Sequence, residues 1–510
     1  MSALDTPKAG RREWIGLAVI ALPCLLYSMD LTVLNVAVPH LSADLKPSSS
    51  QLLWIIDIYG FLVAGFLITM GTLGDRIGRR RLLMFGAVAF GAGSVLAAFS
   101  TSAEMLIVAR ALLGVAGATL APSTLSLIFN MFHDQQQRTF AIGVWVASYS
   151  AGAVLGPVFG GLLLEFFWWG SVFLLAVPVM ALLLVLGPVL LPEFRNLDAG
   201  RLDLFSAALS LAAVLAIIYG LKQIAQDGFS SLPALSILAG LGIGAAFLRR
   251  QRTLADPMLD LELFRIRAFS TSLAAYALSI AVVFGAFVFL LQYLQLVVGL
   301  SPLRAGLWMV PSGCAFIVGG MLSSAIVRRV RPGFVMAGGL ALSAVGFGLL
   351  TRVNGADGLA LAVTAFVLFS LGLAPVITLA TDLIVGAAPR ERAGAASAIS
   401  ETGAEFGGAL GIAILGSIGI AVYRGRLADA VPASVPPAQA DVARDTLGGA
   451  SEVAAQLPAQ LGASLLDTAR EAFTQGMQVT AVTGALVLTG LAVLTAIVLR
   501  HERHVAVPAA

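Results

Sequence analysis

An all-α integral membrane protein of fourteen spanning helices is the fold class this sequence predicts, built as two six-helix bundles with two additional helices between them. Three observations predict it. Mean hydropathy is +0.93, and only 12% of the 510 residues are charged, whereas a soluble domain carries about 25% charge to face water. The apolar residues gather into stretches long enough for a hydrocarbon core of about 30 Å, which takes about 20 helical residues. Lys and Arg alternate between loops: with the N-terminus in the cytoplasm, 22 fall inside and 8 outside, and Arg110 alone sits within a span. That is the positive-inside bias, and it puts both termini in the cytoplasm.

Taken in order, the first seven spans cover 14–38, 52–73, 82–100, 104–127, 140–164, 170–191 and 204–222. The second seven cover 232–248, 269–297, 304–327, 334–351, 357–386, 394–422 and 473–499. Arg11 and Arg12 precede the first with no small-residue cleavage site behind it, so it reads as a spanning helix and not a removable signal. The run Gly71 to Arg80 ends the second span, and a weaker echo, Ser323 to Gly333, ends the tenth. Such duplication predicts bundles over 1–200 and 251–510, with two linker helices over 201–250. On this reading Arg138 is a loop residue on the inside and Lys222 one on the outside. Residues 423–471 read as an outer loop carrying a short helical hairpin. The 54 glycines suit close helix approach. Cys24 and Cys314 lie in separate apolar stretches and read as packing residues. The net charge of +3 comes without an aromatic-basic stripe, which excludes a nucleic-acid partner. No metal-ligand cluster, nucleophile elbow or phosphate loop argues for an enzyme or a cofactor.

Ionisable groups inside spans are costly and point to function. Asp30, Asp57, Arg110, Glu401 and Glu405 are the five strongest. Asp30 lies mid-span, where burial favours its protonated form and a cationic neighbour its ionised one; Arg110 needs an acidic or polar partner, and Asp30 is the most attractive. Trp54 and Asp57 are three apart, so an aromatic face adjoins a carboxylate, a pairing that suits a lipophilic cation. Glu401 and Glu405 share a helix face and resist double ionisation. Asp382 reads as a gating or capping residue. In the fifth span, Gly152, Gly156, Gly160 and Gly161 surround Pro157, a combination that allows a kink. Trp145 and Tyr149 share a face with Gly152 and Gly156, which predicts aromatics lining a cavity below that kink.

Four motifs give the chain a resemblance. Residues 71–80 match G-x-L-x-D-R-x-G-R-R, and 106–118 match L-x-x-x-R-x-x-x-G-x-x-G-A with Leu113 where Gln is usual. Residues 152–161 match G-x-x-x-G-P-x-x-G-G, and 30–39 match D-x-T-V-x-N-V-A-x-P. The chain thereby resembles the major facilitator superfamily, specifically its fourteen-helix drug:proton antiporters, over nearly its whole length. The resemblance implies proton-coupled export of lipophilic organic cations such as quaternary ammonium antiseptics and dyes, driven by the proton gradient, from a monomer in the bacterial cytoplasmic membrane. Transport of an endogenous amphiphile is the alternative. Proton coupling would involve Asp30, Arg110, Asp57, Glu401 and Glu405. Substrate would meet Asp57, Glu401, Glu405, Trp54, Tyr59, Trp145 and Tyr149. Gly71, Asp75, Arg76, Gly78 and Arg79 would form the inside gate, with Gly152, Gly156, Pro157, Gly160 and Gly161 serving conformational change. The tenth span, Ala305 to Val327, lacks the acidic residue that helps some relatives with dications, so the resemblance does not extend to broad dication export.

Overall fold

The computed structural model describes residues 8–47, 49–195, 203–227, 230–254, 257–355, 358–428, 431 and 435–500. Among the described residues the regular structure is all helical, without strands. Thirteen helices among the described residues are long and apolar enough to span a membrane, and one bent helix, taken as a single span, makes fourteen. With no aqueous partner in lipid, such a chain must satisfy its backbone inside each helix.

The first half contains α1 (Arg11–Leu45), α2 (Ser49–Ile77), α3 (Arg79–Ala98), α4 (Ala103–Met131), α5 (Gln135–Phe166), the single turn α6 (Ser171–Leu174) and α7 (Ala176–Leu190). An inserted hairpin follows, α8 (Leu204–Asp227) and α9 (Ser231–Gln251). The second half contains α10 (Arg267–Gln292), α11 (Pro302–Ile326), α12 (Pro332–Leu350), α13 (Leu359–Gly386), α14 (Ala393–Gly411) and α15 (Ser417–Ala428). It ends with α16 (Pro437–Asp445), α17 (Leu447–Gln456) and α18 (Ala459–Val498). Loop polar residues start several helices by accepting an otherwise unpaired N–H. Ser102 accepts from Met105 N (3.2 Å) and Asp134 from Gln137 N (2.9 Å).

The two halves repeat one packing scheme. In the first, α1 packs on α5 and α7, α4 on α2 and α3, and α3 on α7; in the second, α10 packs on α14 and α18, α13 on α11 and α12, and α12 on α18. Both versions of the first contact use glycines where a side chain would collide with backbone. A Cβ on Gly152 would strike Leu25 O of α1, and one on Gly411 would strike Ala281 O of α10. Across the halves, α5 meets α11 and α2 meets α14, again through small residues: Gly143 against Gly320 and Gly71 against Gly394. Leu232, Leu235, Leu238 and Leu241 of α9 are exposed at three-residue spacing, an apolar stripe suited to lipid. The opposite side of the hairpin reaches inward, with α8 packed on α2 and on the π-turn 412–416 that follows α14.

Three expectations need correction here. Lys222 is not in a loop: α8 continues past it, and it lies within a span. Arg138 is likewise helical, in the first turn of α5, and buried. Around the hairpin expected within 423–471, the flanking helices take in residues assigned to the loop. Helix α15 runs to Ala428, α16 and α17 form a short hairpin, and α18 begins at Ala459, because Ala, Gln and Leu sustain the helix beyond the membrane.

Candidate functional site

Two ion pairs and one acidic pair occupy the interior of the bundle. Asp30 of α1 accepts a hydrogen bond from Nη1 of Arg110 on α4. Arg110 also donates through Nε to Ile55 O (3.2 Å) and lies beneath the rings of Tyr59 (4.7 Å) and Phe173 (5.9 Å). Its side chain is 1% exposed. Two hydrogen bonds, two ring contacts and near-complete burial hold this charge in place.

The second pair joins Asp57 of α2 to Lys222 of α8. The Lys222 ammonium also sits 4.6 Å from the centre of the Phe61 ring, and Trp54 packs on that ring at 6.2 Å. Asp57 and Phe61 are four residues apart, so one face of α2 supplies both carboxylate and ring. This pair is more open: Lys222 is 34% and Asp57 22% exposed.

The acids of α14 have tyrosines as neighbours. Glu401 accepts from Tyr276 Oη of α10 at 3.5 Å. Glu405, one turn on, faces the Tyr27 hydroxyl of α1 and is close enough to Lys222 to feel its charge. Tyr27 is also an aromatic junction. Its ring lies 5.9 Å from Tyr59 and 5.5 Å from Tyr149, and Tyr149 lies 4.7 Å from Trp145. A row of rings therefore connects the Arg110 pair of one half to the acids of the other.

At the face where the chain begins, the halves are fastened together. Asp75 accepts from Arg79 Nε (2.9 Å) and from the backbone N–H groups of Gly394 (3.1 Å) and Ala395 (2.9 Å) at the start of α14. A carboxylate at a helix N-terminus meets both unpaired donors and the positive end of the dipole. Arg138 and Thr139 of α5 donate to Asp382 of α13 at 2.9 and 3.0 Å. Arg76 lines a small cavity beside Asp75, together with Asp260 and Arg392. Gly78 turns the chain between α2 and α3 at φ +112°, where a side chain would also strike Glu193.

Some residues expected at the site stand elsewhere. Tyr59 is fully buried against Arg110, where it backs the ion pair. Trp145 is buried too, with its indole N–H donated to Thr124 Oγ1 at 3.0 Å, because Thr124 lies opposite it on α4. Helix α5 bends by 42° between 135–153 and 158–166, but the Pro157 side chain lies outside the described residues. Gly152, Gly156 and Gly160 face α1 closely, whereas Gly161 faces open space and no neighbour requires it. Sequence reasoning missed Lys222, Tyr27 and Tyr276. The available signal was an ammonium one turn from the end of an apolar run, and two tyrosines within spans.

Residues 20–412 match the family described as Major Facilitator Superfamily. The chain belongs to that superfamily. Membership makes it a transporter, not an enzyme. It is similar to "Multidrug efflux pump LfrA" of Mycolicibacterium smegmatis, 44% identical over 98% of each chain. It is also similar to "Methyl viologen resistance protein SmvA" of Salmonella typhimurium, 37% identical over 91% of this chain and 93% of the other. Among solved structures, the human organic anion transporter MFSD10 shares the major facilitator fold, with TM-score 0.58 at 15% identity over 93% of this chain and 99% of that one.

Proposed function

We propose that the protein is a proton-coupled multidrug exporter of lipophilic organic cations, working by alternating access in a bacterial cytoplasmic membrane. One observation carries the reading. Acids from both halves, Asp57 on one side and Glu401 and Glu405 on the other, converge on an aromatic-lined seam between bundles, where Lys222 lies near both Asp57 and Glu405. Rings and carboxylates together suit a cation carried with apolar bulk, such as a quaternary ammonium compound or a dye. Two acids one turn apart cannot both stay ionised without counter-charge, so one can trade a proton for the cation. The relatives named for multidrug efflux and methyl viologen resistance support the same class.

The fastening at Asp75 and Asp382 closes one face. If that face is cytoplasmic, as the arginine distribution predicts, proton uptake from outside releases the cation there, and the changed charge biases the two bundle arrangements. The test uses everted membrane vesicles and ethidium. Acidifying the lumen should drive dye uptake, a protonophore should stop it, and Asp30→Asn should abolish it. Uptake that is indifferent to the protonophore rejects proton coupling.

A further inference from the structure

We propose that Lys222 is the resting occupant of the cation site, a tethered ammonium that neutralises Asp57 in the empty transporter and that an arriving monocation displaces. The inference rests on the cation-export reading above and deepens it by naming what competes with substrate. Its geometry comes from the inserted hairpin. Helix α8 packs on α2 and on the π-turn after α14, so its Lys222 reaches a carboxylate of the first half and lies near one of the second.

Three features mark Lys222 as exchangeable where Arg110 is fixed. Among the described residues its ammonium has one carboxylate bond and one ring face, those of Asp57 and Phe61, whereas Arg110 is held by Asp30, Ile55 O and two rings. It is 34% exposed, against 1% for Arg110. It ends a flexible four-carbon stem, and a compact ammonium redirects its donors by bond rotation where a planar guanidinium cannot.

The contacts of Lys222 are those a lipophilic cation needs. The Phe61 ring, backed by Trp54, offers a cation–π face, and Asp57 offers the neutralising charge. An unpaired carboxylate within a span is costly, so the empty protein needs a counter-ion there and the tether supplies it. When a monocation takes Asp57, the displaced ammonium has Glu405 within its field. Charge balances when Glu405 releases its proton as the ammonium arrives, leaving two carboxylates facing two cations. The substrate class is accordingly a monocation with enough apolar bulk to cover the Phe61 and Trp54 rings, which a bare ammonium does not.

Binding of tetraphenylphosphonium to the purified full-length chain at pH 8, where protons compete least, tests this. The variants are Lys222→Met, Lys222→Arg, Asp57→Asn and the Asp57→Asn/Lys222→Met pair, each checked for monodisperse elution, with Lys222→Gln replacing any Met variant that aggregates. Lys222→Met should bind roughly tenfold more tightly than wild type, Lys222→Arg no more tightly than wild type, and the gain should vanish when Asp57 is Asn. Wild-type binding that Lys222→Met leaves unchanged or weakens overturns the tethered occupant while cation export stands. A gain that persists with Asn at position 57 also overturns it. Absence of binding by every variant overturns both readings.

Discussion

The acids of the first half and those of α14 are held in opposite ways. Asp30 and Asp57 each face a cation, Arg110 or Lys222. Glu401 faces the Tyr276 hydroxyl, and Glu405 faces the Tyr27 hydroxyl with the shared Lys222 nearby but bonded to Asp57. An acid bonded to a guanidinium is tied to one partner in one geometry. An acid bonded to a phenol has a partner that serves it protonated or ionised, because a hydroxyl can donate or accept. The first arrangement holds a helix pair together, and the second leaves the carboxyl able to change state.

The sharpest way to break this contrast is Arg110→Ala. It leaves Asp30 as an uncompensated buried charge, which costs about 3–5 kcal/mol. The protein should accumulate poorly and melt early in detergent, and Asp30→Asn added to Arg110→Met should recover much of the loss. Next comes the Glu401→Gln/Glu405→Gln pair. Tyrosine hydroxyls can bond to Gln as well as to Glu, so melting should move by no more than about 1 kcal/mol. Dye uptake driven by a pH gradient should nevertheless fall at least about tenfold, about 1.4 kcal/mol in the barrier. Equal losses of stability in these two experiments would erase the distinction. A smaller effect separates two tyrosines. Tyr276→Phe removes the bond to Glu401 and should change the apparent KM for dye by about fivefold, worth about 1 kcal/mol. Tyr59→Phe, whose hydroxyl is buried without a hydrogen bond among the described residues, should leave it unchanged.

The smallest expected effect lies outside the membrane, at the base of the inserted hairpin. Asp203 accepts from Arg250 Nε at 2.8 Å and from Ser206 Oγ at 2.7 Å. The Arg250 bond first, then Ser206, holds its carboxyl well below the ordinary range, at about 2. A lowered folded-state pKa means stabilisation that is complete above the ordinary carboxylate range and is lost as pH falls through about 2. Asp203→Asn should therefore cost about 0.5 kcal/mol near neutral pH, a value discounted for partial exposure. The difference from wild type should shrink below pH of about 4. Melting curves across that range measure it.

Hydropathy alone made the fourteen spans legible, because lipid imposes a length that water does not. Asp30 as the partner of Arg110 was legible too: a buried guanidinium demands an acid, and few were available. Lys222 was not. Ending the seventh span at the first charge assumes that a lysine there snorkels to the surface, whereas Asp57 draws it inward. Arg138 was misread for the same reason, with Asp382 across the seam as the missing partner. Tyr59 and Trp145 follow helical spacing correctly, but spacing names a face and not what that face meets. In both cases the neighbour is a polar group on α4, Arg110 or Thr124.

Beyond the hairpin, the chain does not return directly to the second bundle. Met258 and Leu259 donate to Gln251 at the end of α9, while Thr72 of α2 donates to Met258 O (3.4 Å) and Arg392, just before α14, pairs with Asp260 (3.1 Å). The strand of chain leaving the insertion is thus stitched across the same seam that Asp75 clasps. Parting α2 from α14 must drag on this stitch, and through it on the helix that carries Lys222. The insertion is in this sense a mechanical linkage, like a tie rod running from the lock to the seat.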